Sequence, residues 1–101
     1  MKDLHSLSVI GAGSYGTALA IAVASKGFKV TLWGRNAKSI EAMAQKRENE
    51  RYLPGISFPQ SLSLTASLEE CVHASPNLLV VVPSCTFASV IKNIVPFFLR
   101  R

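Results

Sequence analysis

Three glycines stand within six residues in the stretch "SVIGAGSYGTALA", residues 8–20: Gly11, Gly13 and Gly16. Glycine loses more conformational freedom on ordering than any other residue, so such a cluster calls for a local purpose. Its spacing is G-x-G-x-x-G, and the chemistry that suits it is the holding of phosphate by bare backbone. In such a turn the first glycine makes the tight bend and the second opens the backbone to a pyrophosphate. The third lets the following helix pack closely on the preceding strand. Ser14 and Tyr15 come next, at the mouth of the predicted helix. There, unpaired N–H groups and the positive end of the helix dipole favour an anion, and the Ser14 hydroxyl can donate as well. A flexible hinge, a turn that binds nothing and a secretory leader are the competing readings. Against the leader, Asp3, His5, Ser6, Ser8 and the glycines break up the front, and the apolar run 18–24 falls short of the roughly 20 residues that span a bilayer.

A second position bears on which dinucleotide would suit such a turn. Sites selective for NAD carry an acid at the end of the second strand, about 20 residues past the glycines, to hold the ribose 2′-hydroxyl. Here that place reads Gly34–Arg35. A guanidinium can pair with a 2′-phosphate or stack on adenine, so NADP(H) is expected to bind at least as well as NAD(H). The plain alternative for Arg35 is a solvated turn residue. Further on, "VVVPSCTF" ends another strand at the same crevice, where Pro83 and Ser84 would shape its floor and Phe87 would be either a wall or core. Cys71 and Cys85 match no metal or redox spacing and read as reduced, packed thiols. His5 and His73 read as surface residues. No paired carboxylates, nucleophile–base pair or metal-ligand cluster is present, so no catalytic or metal-binding residue is assigned.

The elements that must hold these residues follow from pattern. Residues 7–10 read as a short buried strand, and 17–24 as an alanine-rich helix ended by Gly27 in a left-handed cap. "KVTLW", 29–33, is a second strand. Asn36 caps a helix running to about residue 47, with Ile40, Met43 and Ala44 on its inner face. Residues 48–60, with two prolines and a glycine, are expected to form an ordered loop. Residues 61–66 alternate as a third strand, and Ser67 caps the short helix "LEECVHA". "LLVVV", 78–82, is the most buried-looking strand; Pro83 stops it, and Ser84 caps a last helix with Val90, Ile91 and Ile94 as its apolar residues. Strands alternating with helices predict an α/β chain with a Rossmann-like, doubly wound parallel sheet of order 3-2-1-4, helices on both faces, and further strands lacking.

The bulk numbers fit one domain. The chain has 101 residues, of which 49% are apolar and 17% charged, which argues against disorder. Its net charge of +5 comes from scattered cations rather than a cluster interleaved with aromatics. That pattern argues for solvated faces and a general pull on anionic ligands, with no nucleic acid as partner and no membrane span.

Taken together, "VIGAGSYGTALA", "VTLWGRN", "RENERYLPGI" and "LLVVVPS" make the chain resemble the N-terminal part of the bacterial-type NAD(P)-dependent glycerol-3-phosphate dehydrogenases. "NERYLPGI" is the most discriminating piece, because many dehydrogenases share the glycine pattern. The resemblance implies an enzyme that reduces dihydroxyacetone phosphate to sn-glycerol 3-phosphate with NADH or NADPH, for phospholipid synthesis in the cytoplasm. Beside the cofactor-binding glycines Gly11, Gly13 and Gly16 read from the motif, it implies cofactor contacts at Ser14, Tyr15 and Arg35. Position 15 is often tryptophan in the family, so Tyr15 keeps an aromatic of another size. Tyr52 is a further implied contact, with packing of its loop onto the sheet as the alternative. The family's cofactor-side lysine, its catalytic lysine and its helical substrate domain would lie beyond Arg101. Residues 1–101 are therefore expected to be an incomplete dinucleotide-binding domain, inactive alone, with a homodimer as a candidate assembly. An unpaired strand 78–82 and "IVPFFLRR" would make such a piece marginally stable and prone to associate. The alternatives are the cofactor domain of another NAD(P)-dependent reductase and a stand-alone, inactive nucleotide-binding remnant.

Overall fold

Val9 and Ile10 are neighbours, both fully buried, yet they belong to two different cores. A strand sends successive side chains to opposite faces, so a chain that buries both must cover its sheet on both sides. The computed structural model describes residues 6–50, 53–82 and 84–99, with the side chains of Ser14, Leu53, 84–87 and 97–99 outside the description. The elements in order are β1 (Ser6–Ile10), α1 (Ser14–Ala24), β2 (Lys29–Trp33), α2 (Ala37–Lys46), β3 (Glu48–Asn49), β4 (Leu53–Ser57), β5 (Leu62–Thr65), α3 (Leu68–Ala74), β6 (Leu78–Val80) and α4 (Ser84–Leu99).

Four strands form one parallel sheet in the order β5-β2-β1-β6, which is the predicted 3-2-1-4 once the hairpin strands are set aside. Ile10 pairs with Trp33 and with Val80, so β1, β2 and β6 finish level with one another. On one face, α1 and α2 bring Ala20, Ala24, Ile40 and Met43 onto Val9, Val30, Leu32 and Leu62. On the other, α3 and α4 bring Cys71, Val72, Val90 and Ile94 onto Ile10 and Trp33. Full burial of a large aliphatic such as Leu32 stabilises by roughly 1.5–3 kcal/mol. Trp33 keeps its ring in the second core because Nε1–H finds the Ala66 carbonyl at 3.1 Å.

Two of the three predicted N-caps form: the Asn36 side chain accepts from the Ser39 N–H at 3.0 Å, and that of Ser67 from the Glu70 N–H at 3.2 Å, whereas Ser84 is the first residue of α4 rather than its cap. Cys71 is packed inside, and burial pushes its thiol up to about 12, with the Ser8 hydrogen bond opposing and the Glu70 charge adding to the rise. It stays neutral and behaves as a small apolar residue. Cys85 and His5 lie outside the described side chains; His73 is exposed.

Several local expectations change. Helix α1 starts at Ser14 rather than 17, directly after Gly13 as its N-cap, and its C-cap is Ser25; Gly27 follows with φ 95°. Ala44 is exposed, so the inner face of α2 is Ile40 and Met43. The expected loop 48–60 holds a β-hairpin, in which β3 and β4 pair antiparallel with a register shift at Glu48/Asn49. Its short, outlying strands tolerate Pro54 and Gly55 because no central ladder is interrupted. Finally, β6 ends at Val80 and is half-buried, because it stands at the sheet's edge. Pro83, expected to stop it, lies outside the described residues.

Candidate functional site

The crevice rule for open parallel sheets locates the site. Chain order reverses across β1, with β2 on one side and β6 on the other, and ligands favour the carboxyl ends of strands at such a point. A cavity of about 510 Å³ opens there, within the size range of small-molecule sites. Gly11, Ala12 and Gly13 line it from the loop after β1, and Trp33, Gly34 and Arg35 from the end of β2. Val81 and Val82 line it from the end of β6.

The glycines divide their work as the spacing predicts. Gly11 has φ 128°, a left-handed conformation that favours glycine, and a Cβ there would lie 1.9 Å from the Val81 carbonyl oxygen. A Cβ on Gly16 would lie 1.9 Å from the Gly11 carbonyl oxygen, so α1 approaches the loop as closely as backbone allows. Gly13 differs: its φ is −76°, and a Cβ would meet no heavy atom of the described residues within 4 Å. Two glycines are needed for the fold. The third leaves space at the start of a helix, which is where an anion binds.

Ser14 and Tyr15 form the first turn of α1, whose ends carry no acidic residue in the first turn and no basic one in the last. The Tyr15 ring is 68% exposed and leaves the space at Gly13 unfilled. Arg35 is exposed at the cavity's rim. Tyr52 lies outside the described residues, as does Pro83. The loop and the end of β2 thus meet at one cavity through Gly11, Gly13 and Arg35, whereas Tyr15 and Gly16 are not among its lining residues.

Sequence reasoning missed the fourth wall. The hairpin brings Glu48, Asn49 and Glu50 to the same cavity, and α2 brings Ser39 and Lys46. Lys46 Nζ pairs with Glu50 at 3.0 Å, while Glu48 accepts the Gly55 N–H at 3.1 Å. Carboxylates therefore do reach the cavity, though from the hairpin rather than from the end of β2. Arg47, just past α2, adopts φ 58° and ψ 38°, and its Nη2 donates to the carbonyls of Pro59 and Leu62, each at 2.8 Å. Those bonds tie the hairpin to β5 and offset the cost of a left-handed non-glycine residue. The signal available in sequence was "NERYLPG" itself, whose residue types hid a short hairpin.

Comparison with known proteins agrees with this geometry. A family model described as the NAD-dependent glycerol-3-phosphate dehydrogenase N-terminus matches residues 6–101. The chain is 52% identical over 96 residues to a glycerol-3-phosphate dehydrogenase (NAD(P)+) of Shewanella frigidimarina, covering 95% of this chain and 28% of that one. It is 56% identical over 96 residues to the enzyme of the same name from Colwellia psychrerythraea, covering 95% of this chain and 29% of the relative. The crystal structure of glycerol-3-phosphate dehydrogenase from Coxiella burnetii superposes with a TM-score of 0.88 at 39% identity, over 92% of this chain and 29% of that one. A Plasmodium falciparum glycerol-3-phosphate dehydrogenase, at 22% identity over 90% of this chain and 28% of its own, shares the fold with a TM-score of 0.79. The chain thus spans less than a third of the relatives it matches. Its sheet, glycine turn and cavity all lie within the matched residues 6–101, and the chain belongs to the NAD-dependent glycerol-3-phosphate dehydrogenase N-terminal family.

Proposed function

We propose that residues 1–101 are the dinucleotide-binding domain of a glycerol-3-phosphate dehydrogenase that reduces dihydroxyacetone phosphate to sn-glycerol 3-phosphate. The open space at Gly13, in front of the first N–H groups of α1, is the observation that carries this reading. A bound NADPH or NADH supplies the hydride for reduction of a ketone. The chain's own residues bind and orient it. Backbone amides of Gly13, Ser14 and Tyr15 hold the pyrophosphate, with Gly11 and Gly16 keeping loop and helix close. Arg35 takes the adenine-ribose end, and Tyr52 is a further contact by family resemblance.

Family membership supports the rest of the proposal: a cytoplasmic enzyme feeding phospholipid synthesis, a homodimer, and lysines that act on the substrate from a separate helical domain. Among the described residues, no helix is long and apolar enough to cross a membrane, and no group of three His, Cys, Asp or Glu could hold a metal ion.

Calorimetric titration of NADPH and NADH tests the reading, with Gly13→Val as the control. The backbone at Gly13 is ordinary, with φ −76°, and an added Cβ meets no described atom, so the variant should melt within a few degrees of wild type. Its side chain fills the phosphate's space, and both heats should vanish. Retained binding in Gly13→Val would remove the pyrophosphate from this turn.

A further inference from the structure

Asn49 is buried, only 3% exposed, the least of any described polar residue in the hairpin. Its Nδ2 donates to the Ala12 carbonyl at 3.3 Å and to the Thr17 hydroxyl at 3.0 Å. Thr17 is fully buried in the first turn of α1, and its N–H is held by the Gly13 carbonyl at 3.0 Å. One side-chain amide, reaching 37 residues along the chain, therefore grips the glycine loop on both sides of Gly13.

The consequence follows from peptide geometry. In a planar trans peptide the C=O and the next N–H point in opposite directions, and no cis peptide bond occurs among the described residues. With its carbonyl turned to Asn49, the Ala12–Gly13 peptide must send the Gly13 N–H away from the hairpin. A loop relying on glycine has the freedom to turn that peptide over, and would otherwise sample both orientations. Asn49 removes that freedom while donating to two acceptors that burial would leave costly if unmet.

We propose that Asn49 is a positioning residue for the cofactor's pyrophosphate, locking the Ala12–Gly13 peptide so that the Gly13 N–H faces the anion. The proposal rests on the dinucleotide reading above and deepens it. It assigns to the hairpin a part in phosphate binding that is carried through the loop, without contact between Asn49 and the phosphate. Preorganised donors cost nothing to align when the ligand arrives, so losing the lock weakens ligands in proportion to how far they use the loop.

That selectivity is the test. Asn49→Asp preserves size but turns the donor into an acceptor facing the Ala12 carbonyl. In calorimetry on the intact protein, Asn49→Asp is expected to weaken NADPH and ADP-ribose, which carry the pyrophosphate, by about tenfold or more. Adenosine 2′-monophosphate, which lacks the pyrophosphate and uses the Arg35 end, should stay within about twofold of wild type. Equal losses for all three ligands would mean that Asn49 only holds the fold, and unchanged affinities would mean that it does nothing; either overturns the proposal. Should Asn49→Asp not fold, Thr17→Val removes one of the two acceptors and carries the same comparison, with Thr17→Ser restoring affinity. Wild-type protein that binds no dinucleotide would instead overturn the reading on which the proposal rests.

Discussion

Gly13 and Arg35 face one cavity and act on it in opposite ways, the first by leaving room and the second by bringing charge. Arg35 is exposed at the end of β2, at the position where an acid would select against a 2′-phosphate. Lys46, on the same lining, is already paired with Glu50. Arg35→Ala should therefore weaken NADPH by about tenfold while changing NADH by about twofold or less, read by calorimetry at low salt. Equal losses for both cofactors would assign Arg35 to adenine stacking rather than to phosphate recognition. The positions of these two residues at the cavity were legible in the sequence because each is set by its neighbours in the chain. Asn49 was not: its partners lie at Ala12 and Thr17, and no motif announces a side chain that acts across such a separation.

At the scale of elements, α2 links the charge at Arg35 to the hairpin. Asn36 caps its first turn, and Arg47 ends it in a left-handed conformation from which the chain enters β3. Asn36→Ala should lower stability by about 1 kcal/mol, seen as a lower urea midpoint at unchanged m-value. Because Asn36 and Ser39 line the cavity, the same change should also weaken NADPH slightly. The two caps, Asn36 and Ser67, were readable because a short polar side chain before a helix has few other uses. The hairpin was not. Prolines, a glycine and charged residues look like a loop, and the strands of two and five residues are joined by Glu48 accepting the Gly55 N–H and tied to the sheet by Arg47 donating to Pro59 and Leu62. The start of α1 was placed late for a related reason, since Gly16 opposes a helix locally and is tolerated only where α1 meets the loop.

For the whole molecule, the parallel sheet sets three ends side by side, at β1, β2 and β6, and the cavity is the space they share with the hairpin. That arrangement brings bare backbone at Gly13 and the exposed cation Arg35 to one cavity. The 101-residue chain by itself should bind NADPH yet show no oxidation of it with dihydroxyacetone phosphate in a spectrophotometric assay. The same 101 residues joined to a relative's helical domain should regain turnover. Turnover by the short chain alone would place a catalytic group within these residues. The edge position of β6 belongs to this scale too. "LLVVV" looks like a strand buried on both sides, and its half-burial fits its place at the edge of the sheet among the described residues.

The amino-acid sequence by itself determined the alternation of strands and helices, the order of the sheet and the place of the glycine turn. Those depend on side-chain period, on residues that cap or bend the backbone, and on glycines at fixed spacing, all of which act over a few residues. Only the tertiary structure decided which glycine stays open, that Glu48 and Glu50 reach the cavity, and that Asn49 holds the loop. These are contacts between segments tens of residues apart, and they come into being only when packing on the sheet brings the segments together.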